Sequence, residues 1–146
     1  METLVKTLVE LEAESGRFVS GLTPKEGKAT LVTLSGDLGA GKTAFTKAVA
    51  QALGVEETVN SPTFVLEKIY QLGSSTSKFK RLIHIDAYRL ESGEDLAPLG
   101  FDEIMQDAEN LILLEWPEKV SDALPVPAVR ISITTLPDES RMISYG

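Results

Sequence analysis

The chain has no cysteine, which excludes disulfides and thiolate metal sites and fits a reducing, cytoplasmic setting. It has one histidine, His84, so a multi-histidine metal centre is excluded as well. Positive charge is scarce: 14 Lys and Arg stand against 22 Asp and Glu, a net charge of −8. Such a chain is poorly suited to hold nucleic acid by itself, because neutralising phosphates needs clustered cations. The densest basic group, Lys78, Lys80 and Arg81, reads more readily as a solvated loop edge. No apolar run reaches the length of a membrane span. The start, Met1-Glu-Thr-Leu-Val-Lys6, carries neither the basic nor the long apolar part of a signal peptide. Repeats, linkers and low-complexity tracts are also missing. At 146 residues the expectation is one domain, residues 1–146, with roughly 70% of the unfolded chain's surface buried on folding.

What is present starts with Gly36-Asp-Leu-Gly-Ala-Gly-Lys-Thr43, a complete P-loop pattern. Its glycines let the backbone curl until successive N–H groups point inward and cradle phosphate oxygens. Lys42 is placed to reach the outer phosphates, and the Thr43 hydroxyl to hold Mg²⁺. The context agrees. The apolar run Ala29 to Ser35 leads into the loop, and Ala44, Phe45, Ala48, Val49, Ala52 and Leu53 leave it near a helical period. Gly54 then sits where a C-terminal cap belongs.

Elsewhere Thr7-Leu-Val-Glu10 has capping-box spacing. It heads a helix expected over about Val9 to Leu22, with Leu8, Leu11, Phe18, Val19 and Leu22 on one face. Strands are expected over Val65–Leu72 and Phe79–Asp86, joined by a flexible tip at Gly73–Ser77. Phe101 to Gln106 reads as a short helix. Leu111-Ile-Leu-Leu114 reads as a central strand covered on both faces. Ala128–Thr135 and Met142–Tyr145 read as a terminal hairpin. The sum is an α/β P-loop domain with a mixed, partly parallel sheet flanked by helices.

Three further segments carry chemistry. Glu115 ends the apolar strand, where an acid beside a P-loop either contacts Mg²⁺ or its water shell, or orients the attacking water. Trp116 after it is either core or a lid near the nucleotide. His84, Asp86 and Tyr88 share one face if their strand persists. They form either a polar site or a structural network in which Asp86 accepts from His84 or caps the next segment. Ser61-Pro62-Thr63 lies where a nucleotide-sensing loop follows the P-loop helix, with the Thr63 hydroxyl towards Mg²⁺ or the γ-phosphate, or else is an ordinary turn.

Taken together, Gly36–Thr43, Ser61-Pro-Thr-Phe64, His84-Ile-Asp-Ala-Tyr-Arg89 and Leu113-Leu-Glu-Trp-Pro117 resemble the TsaE family. These are small bacterial P-loop ATPases required for making threonylcarbamoyladenosine in tRNA. The resemblance runs through most of the chain, to Leu124-Pro125 and the Arg141 region. It implies ATP bound along Asp37, Leu38, Gly39, Ala40, Gly41, Lys42, Thr43 and Ala44, with Thr63 in a switch-like loop. It implies Mg²⁺ held by Thr43 and Glu115, and Lys42, Asp86 and Glu115 as the catalytic set. It also implies TsaB and TsaD as partners, TsaC as the source of the threonylcarbamoyl-adenylate, tRNA reached only through partners, and hydrolysis that resets TsaB–TsaD. Ala44 departs from the family, which commonly has a second Thr there, so a hydroxyl near the α-phosphate is lost.

Other classes fit less well. A small-molecule kinase needs a lid bearing arginines, whereas Arg17, Arg81, Arg89, Arg130 and Arg141 are scattered. A GTPase needs an Asn-Lys-x-Asp segment to read guanine, and none is present. A nucleotide-gated adaptor without hydrolysis stays open, and turnover measurements decide it.

Overall fold

The computed structural model describes residues 1–37, 39–55, 66–72 and 78–146. Leu38, the Ser61-Pro62-Thr63 segment and the tip at 73–77 lie outside the described residues. A seven-stranded mixed sheet organises the chain, in the order β1-β7-β6-β2-β5-β4-β3. Its centre is parallel: β2 (Thr30–Ser35) lies between β5 (Asn110–Glu115) and β6 (Val129–Thr135), and β4 (Arg81–Asp86) runs parallel to β5. The margins are antiparallel: β3 (Glu67–Gln71) on β4, β7 (Arg141–Tyr145) on β6, and β1 (Glu2–Val5) on β7.

The central strands read as near-continuous apolar runs because both of their faces are covered. Alternation along each strand divides the interior into two layers. On one side Val32, Leu34, Leu82, Leu111, Leu113, Ile131 and Ile143 pack with α1 (Leu8–Gly21) and α2 (Lys42–Ala52). On the other, Leu31, Ile83, Ile85, Ile112 and Leu114 pack with a 3₁₀ segment, Gly93–Leu99, and with α3 (Phe101–Met105).

The helix α1 starts where its capping box predicts. Thr7 Oγ1 accepts the Glu10 N–H at 3.1 Å, and Glu10 Oε2 accepts the Thr7 N–H at 3.2 Å. This satisfies amides that would otherwise lack partners in the first turn. Its apolar face is narrower than expected. Leu11, Phe18 and Val19 pack on the core, but Leu8 is 63% exposed. The helix α2 follows the P-loop and buries Phe45, Val49 and Ala50 completely. It ends as expected at Gly54, whose φ of +89° is left-handed.

Two expectations about strands need correcting. A strand, β1, forms before α1, where the sequence reading assigns no element. The face proposed for His84, Asp86 and Tyr88 stops at Asp86, the last residue of β4. Asp86 Oδ1 accepts the Tyr88 N–H at 3.0 Å, turning the chain out of the strand and leaving Tyr88 41% exposed.

Candidate functional site

Register decides what stands beside the P-loop. Leu34 of β2 is opposite Glu115 of β5, and Glu115 is opposite Asp86 of β4. The carboxyl ends of three adjacent strands therefore meet at the edge where Gly36 begins the loop, as in other α/β sheets with a terminal ligand crevice. The Trp116 N–H donates to the Leu34 carbonyl at 3.2 Å, and the Ala87 N–H to the Glu115 carbonyl at 3.0 Å. Strand alternation puts His84, Asp86 and Glu115 on the α2 side of the sheet, with Leu82, Leu111 and Leu113.

The loop has the backbone that its glycines permit. Gly39 and Gly41 have φ of +82° and +106°, a region most side chains disfavour. Gly36 is held by close approach as well as by its φ of +155°. A Cβ there would stand 2.6 Å from the Ile133 carbonyl oxygen of β6. Gly41 is the N-cap of α2, so the free amides of the helix open onto the loop. Thr43, the second residue of α2, is half-buried, as is Ala44, while Asp37 and Gly39 are exposed and Ala40 is buried.

Lys42 is only 6% exposed. Its Nζ donates to the Gly36 carbonyl and, at 3.1 Å, to the Asp37 carbonyl. The ammonium also lies 4.1 Å from the centre of the Trp116 ring. That is a cation–π distance. Trp116 adopts a left-handed backbone at φ 61°, and its ring also meets Tyr88, with centroids 5.1 Å apart. Of the two sequence readings of Trp116, it packs partly on the core and also covers the P-loop lysine.

Among the acids, Glu115 is 2% exposed and Asp86 5%. Glu115 Oε2 is 2.5 Å from His84 Nε2, and His84 is wholly buried. The pairing of Asp86 with His84 considered from sequence is thus not the one formed: the imidazole goes to Glu115. Thr43, Asp86 and Glu115 offer hard oxygen donors of the kind Mg²⁺ takes. Among the described residues no group of three or more His, Cys, Asp or Glu could hold a metal alone.

A hollow of about 230 Å³ adjoins the loop, lined by Thr7, Leu8, Leu11, Ala40, Ala44 and Arg141 among others. Sequence gave no signal for it, because α1, the P-loop and β7 meet only in the fold. Arg141 is part of the same surprise. Its Nε donates to the Ala40 carbonyl at 2.9 Å across 101 residues of chain, bracing the loop from β7.

The basic group at residues 78–81 is engaged with the chain's own acceptors. Lys78 Nζ donates to the Ser20 and Leu22 carbonyls at 3.0 and 2.8 Å, at the C-terminus of α1. Lys80 pairs with Glu109 at 2.9 Å and Arg81 with Asp107 at 2.5 Å. Among the described residues no helix is long and apolar enough to cross a membrane.

The same chain matches known proteins along nearly its whole length. The family model described as "Threonylcarbamoyl adenosine biosynthesis protein TsaE" matches residues 7–143. The tRNA threonylcarbamoyladenosine biosynthesis protein TsaE of Bacillus subtilis is 37% identical over 133 residues, covering 90% of this chain and 79% of that one. Its counterpart in Treponema pallidum is 40% identical over 128 residues, covering 88% of each. The crystal structure of Bacillus subtilis YdiB superposes with a TM-score of 0.77 at 28% identity, covering 99% of this chain and 83% of the other. With a family model spanning residues 7–143 and relatives of this similarity, the chain belongs to the TsaE family of tRNA threonylcarbamoyladenosine biosynthesis proteins.

Proposed function

We propose that this chain is an Mg²⁺-dependent ATPase that hydrolyses ATP to ADP and phosphate in support of TsaB and TsaD during threonylcarbamoyladenosine modification of tRNA. The observation that carries the reading is the convergence of Lys42, Glu115 and Asp86 at the carboxyl ends of β2, β5 and β4, around a glycine-rich loop that opens a helix. The TsaE names of its relatives supply the pathway.

In this reading the backbone amides of Asp37, Leu38, Gly39, Ala40, Gly41, Lys42, Thr43 and Ala44 bind phosphate oxygens. The N-terminal end of α2 adds a favourable field for anions. Lys42 exchanges its Gly36 and Asp37 carbonyls for phosphate oxygens and neutralises charge that grows in the transition state. Thr43 and Glu115 would hold Mg²⁺, which would supply electrostatic stabilisation to the transferring phosphoryl group. Asp86, and Thr63 from the following loop, orient water on the γ-phosphate side. With Ala44 lacking a hydroxyl, contact near the α-phosphate falls to the backbone.

The test is nucleotide turnover by the purified chain, alone and with TsaB–TsaD. Lys42→Ala should lose turnover by about two orders of magnitude or more while remaining folded, the scale seen when one transition-state donor is removed. Glu115→Ala should lose hydrolysis more than ATP binding. Unchanged hydrolysis by folded Lys42→Ala would remove the P-loop from the mechanism. Wild-type binding and turnover in Glu115→Ala would make that acid structural.

A further inference from the structure

Glu115 is held by a single side-chain contact among the described residues. His84 Nε2 lies 2.5 Å from Oε2, and both side chains are nearly or fully out of solvent, at 0% and 3% exposure. The other carboxylate oxygen, Oε1, makes no hydrogen bond among the described residues. The His84 ring is therefore built into the sheet beside the acid, one strand away, with Nδ1 buried and without a partner among the described residues. With the proton on Nε2, the N–H donates to the carboxylate, and Nδ1 keeps an acceptor lone pair that meets no donor among the described residues.

We propose that His84 is the positioning residue for Glu115. It engages Oε2, fixes the carboxylate rotamer and leaves Oε1 to face the metal shell. The inference rests on the reading of Glu115 as the Mg²⁺ acid. A free glutamate has three side-chain torsions, and locking it costs entropy that must be recovered when a ligand binds. His84 removes that cost in advance. It does so from β4, whose register with β5 is fixed by parallel pairing from Arg81↔Asn110 to Asp86↔Glu115. The His84 ring spends its only hydrogen bond among the described residues on the acid at the crevice. Groups that orient metal-binding side chains commonly matter ten- to a hundred-fold to metal affinity.

The experiment uses the full chain, a non-hydrolysable ATP analogue and Mn²⁺ as the probe metal, read by paramagnetic resonance of the bound ion. Analogue affinity is measured separately in EDTA, and melting temperature reports folding. His84→Leu should weaken Mn²⁺ binding to the protein–analogue complex by about ten-fold or more, with analogue affinity in EDTA unchanged. His84→Gln places an amide N–H near the position of Nε2 and should restore most of the affinity. His84→Asn places its amide near Nδ1 and should not. The Gln and Asn pair decides the matter even if the Leu variant fails to fold. Wild-type Mn²⁺ affinity in His84→Asn or a folded His84→Leu, with a loss in Glu115→Ala, would overturn the role of His84 and leave Glu115 as the metal acid. Wild-type affinity in Glu115→Ala as well would overturn the reading of Glu115 itself.

Discussion

At the scale of single residues, two separate physical causes require glycine along the P-loop: a left-handed backbone and close packing against β6. Gly39 and Gly41 curl the backbone through their positive φ. Gly36 adds a second reason, the 2.6 Å approach of a would-be Cβ to Ile133 O, which depends on a strand nearly a hundred residues away. The two causes predict different costs. Gly39→Ala should lose about 1 kcal/mol of stability from backbone strain alone. Gly36→Ala should lose more, about 2 kcal/mol or above, because strain adds to a clash with backbone that cannot rotate away. Urea unfolding of the two variants checks this, and equal losses would mean that β6 yields to the methyl group. The partner of His84 was equally out of reach of local reasoning. The pattern placed His84 and Asp86 on one face, but Glu115 lies 31 residues along the chain and joins them only through strand register.

Among the elements, those with strong local signals were legible and those defined by their neighbours were not. The capping box at Thr7, the glycine loop, the apolar run of β5 and the terminal hairpin each have a cause within a few residues. The short strand β1 has none: its four residues become a strand because β7 offers an edge. The β4 face ended early because Asp86 turned its carboxylate to the backbone of Tyr88. The strand β3 carries a pH-dependent liability. Burial pushes the Glu67 carboxyl above the ordinary carboxylate range, and Oε2 has no partner among the described residues. A raised carboxyl pKa contributes stability below the unfolded value, near pH 4, and loses it as pH rises through the folded value. Glu67→Gln should therefore raise Tm relative to wild type more at pH 7 than at pH 4. An identical difference at both pH values would show that burial of the charge is not what Glu67 suffers.

For the molecule as a whole, charge and fold together argue for access to tRNA through other proteins. The net charge is −8, and the densest basic group is spent on the end of α1, on Glu109 and on Asp107. Each cation of that small group thus has an acceptor within the chain, although Lys80 stays 73% exposed. The isolated chain should bind labelled tRNA more weakly than about 1 µM at physiological salt, within the non-specific range. Submicromolar binding by the chain alone would mean that distant cations converge on a face of their own. Family membership and the mixed sheet were legible because the motifs are spread along most of the chain in a fixed order. The hollow beside Ala44 and the brace from Arg141 were not, because both arise where α1, the P-loop and β7 meet.

In the proposed function, ATP hydrolysis at the P-loop supports TsaB–TsaD through repeated rounds of tRNA modification. This role is tested most directly by counting modified tRNA per TsaB–TsaD complex, with TsaC and substrates in excess, while this chain is supplied as wild type or Lys42→Ala. Many rounds are expected with the wild-type chain and ATP. About one round or fewer is expected with Lys42→Ala, or when ATP for this step is replaced by a non-hydrolysable analogue after the adenylate has been made. Repeated modification at the wild-type rate with folded Lys42→Ala would contradict this role.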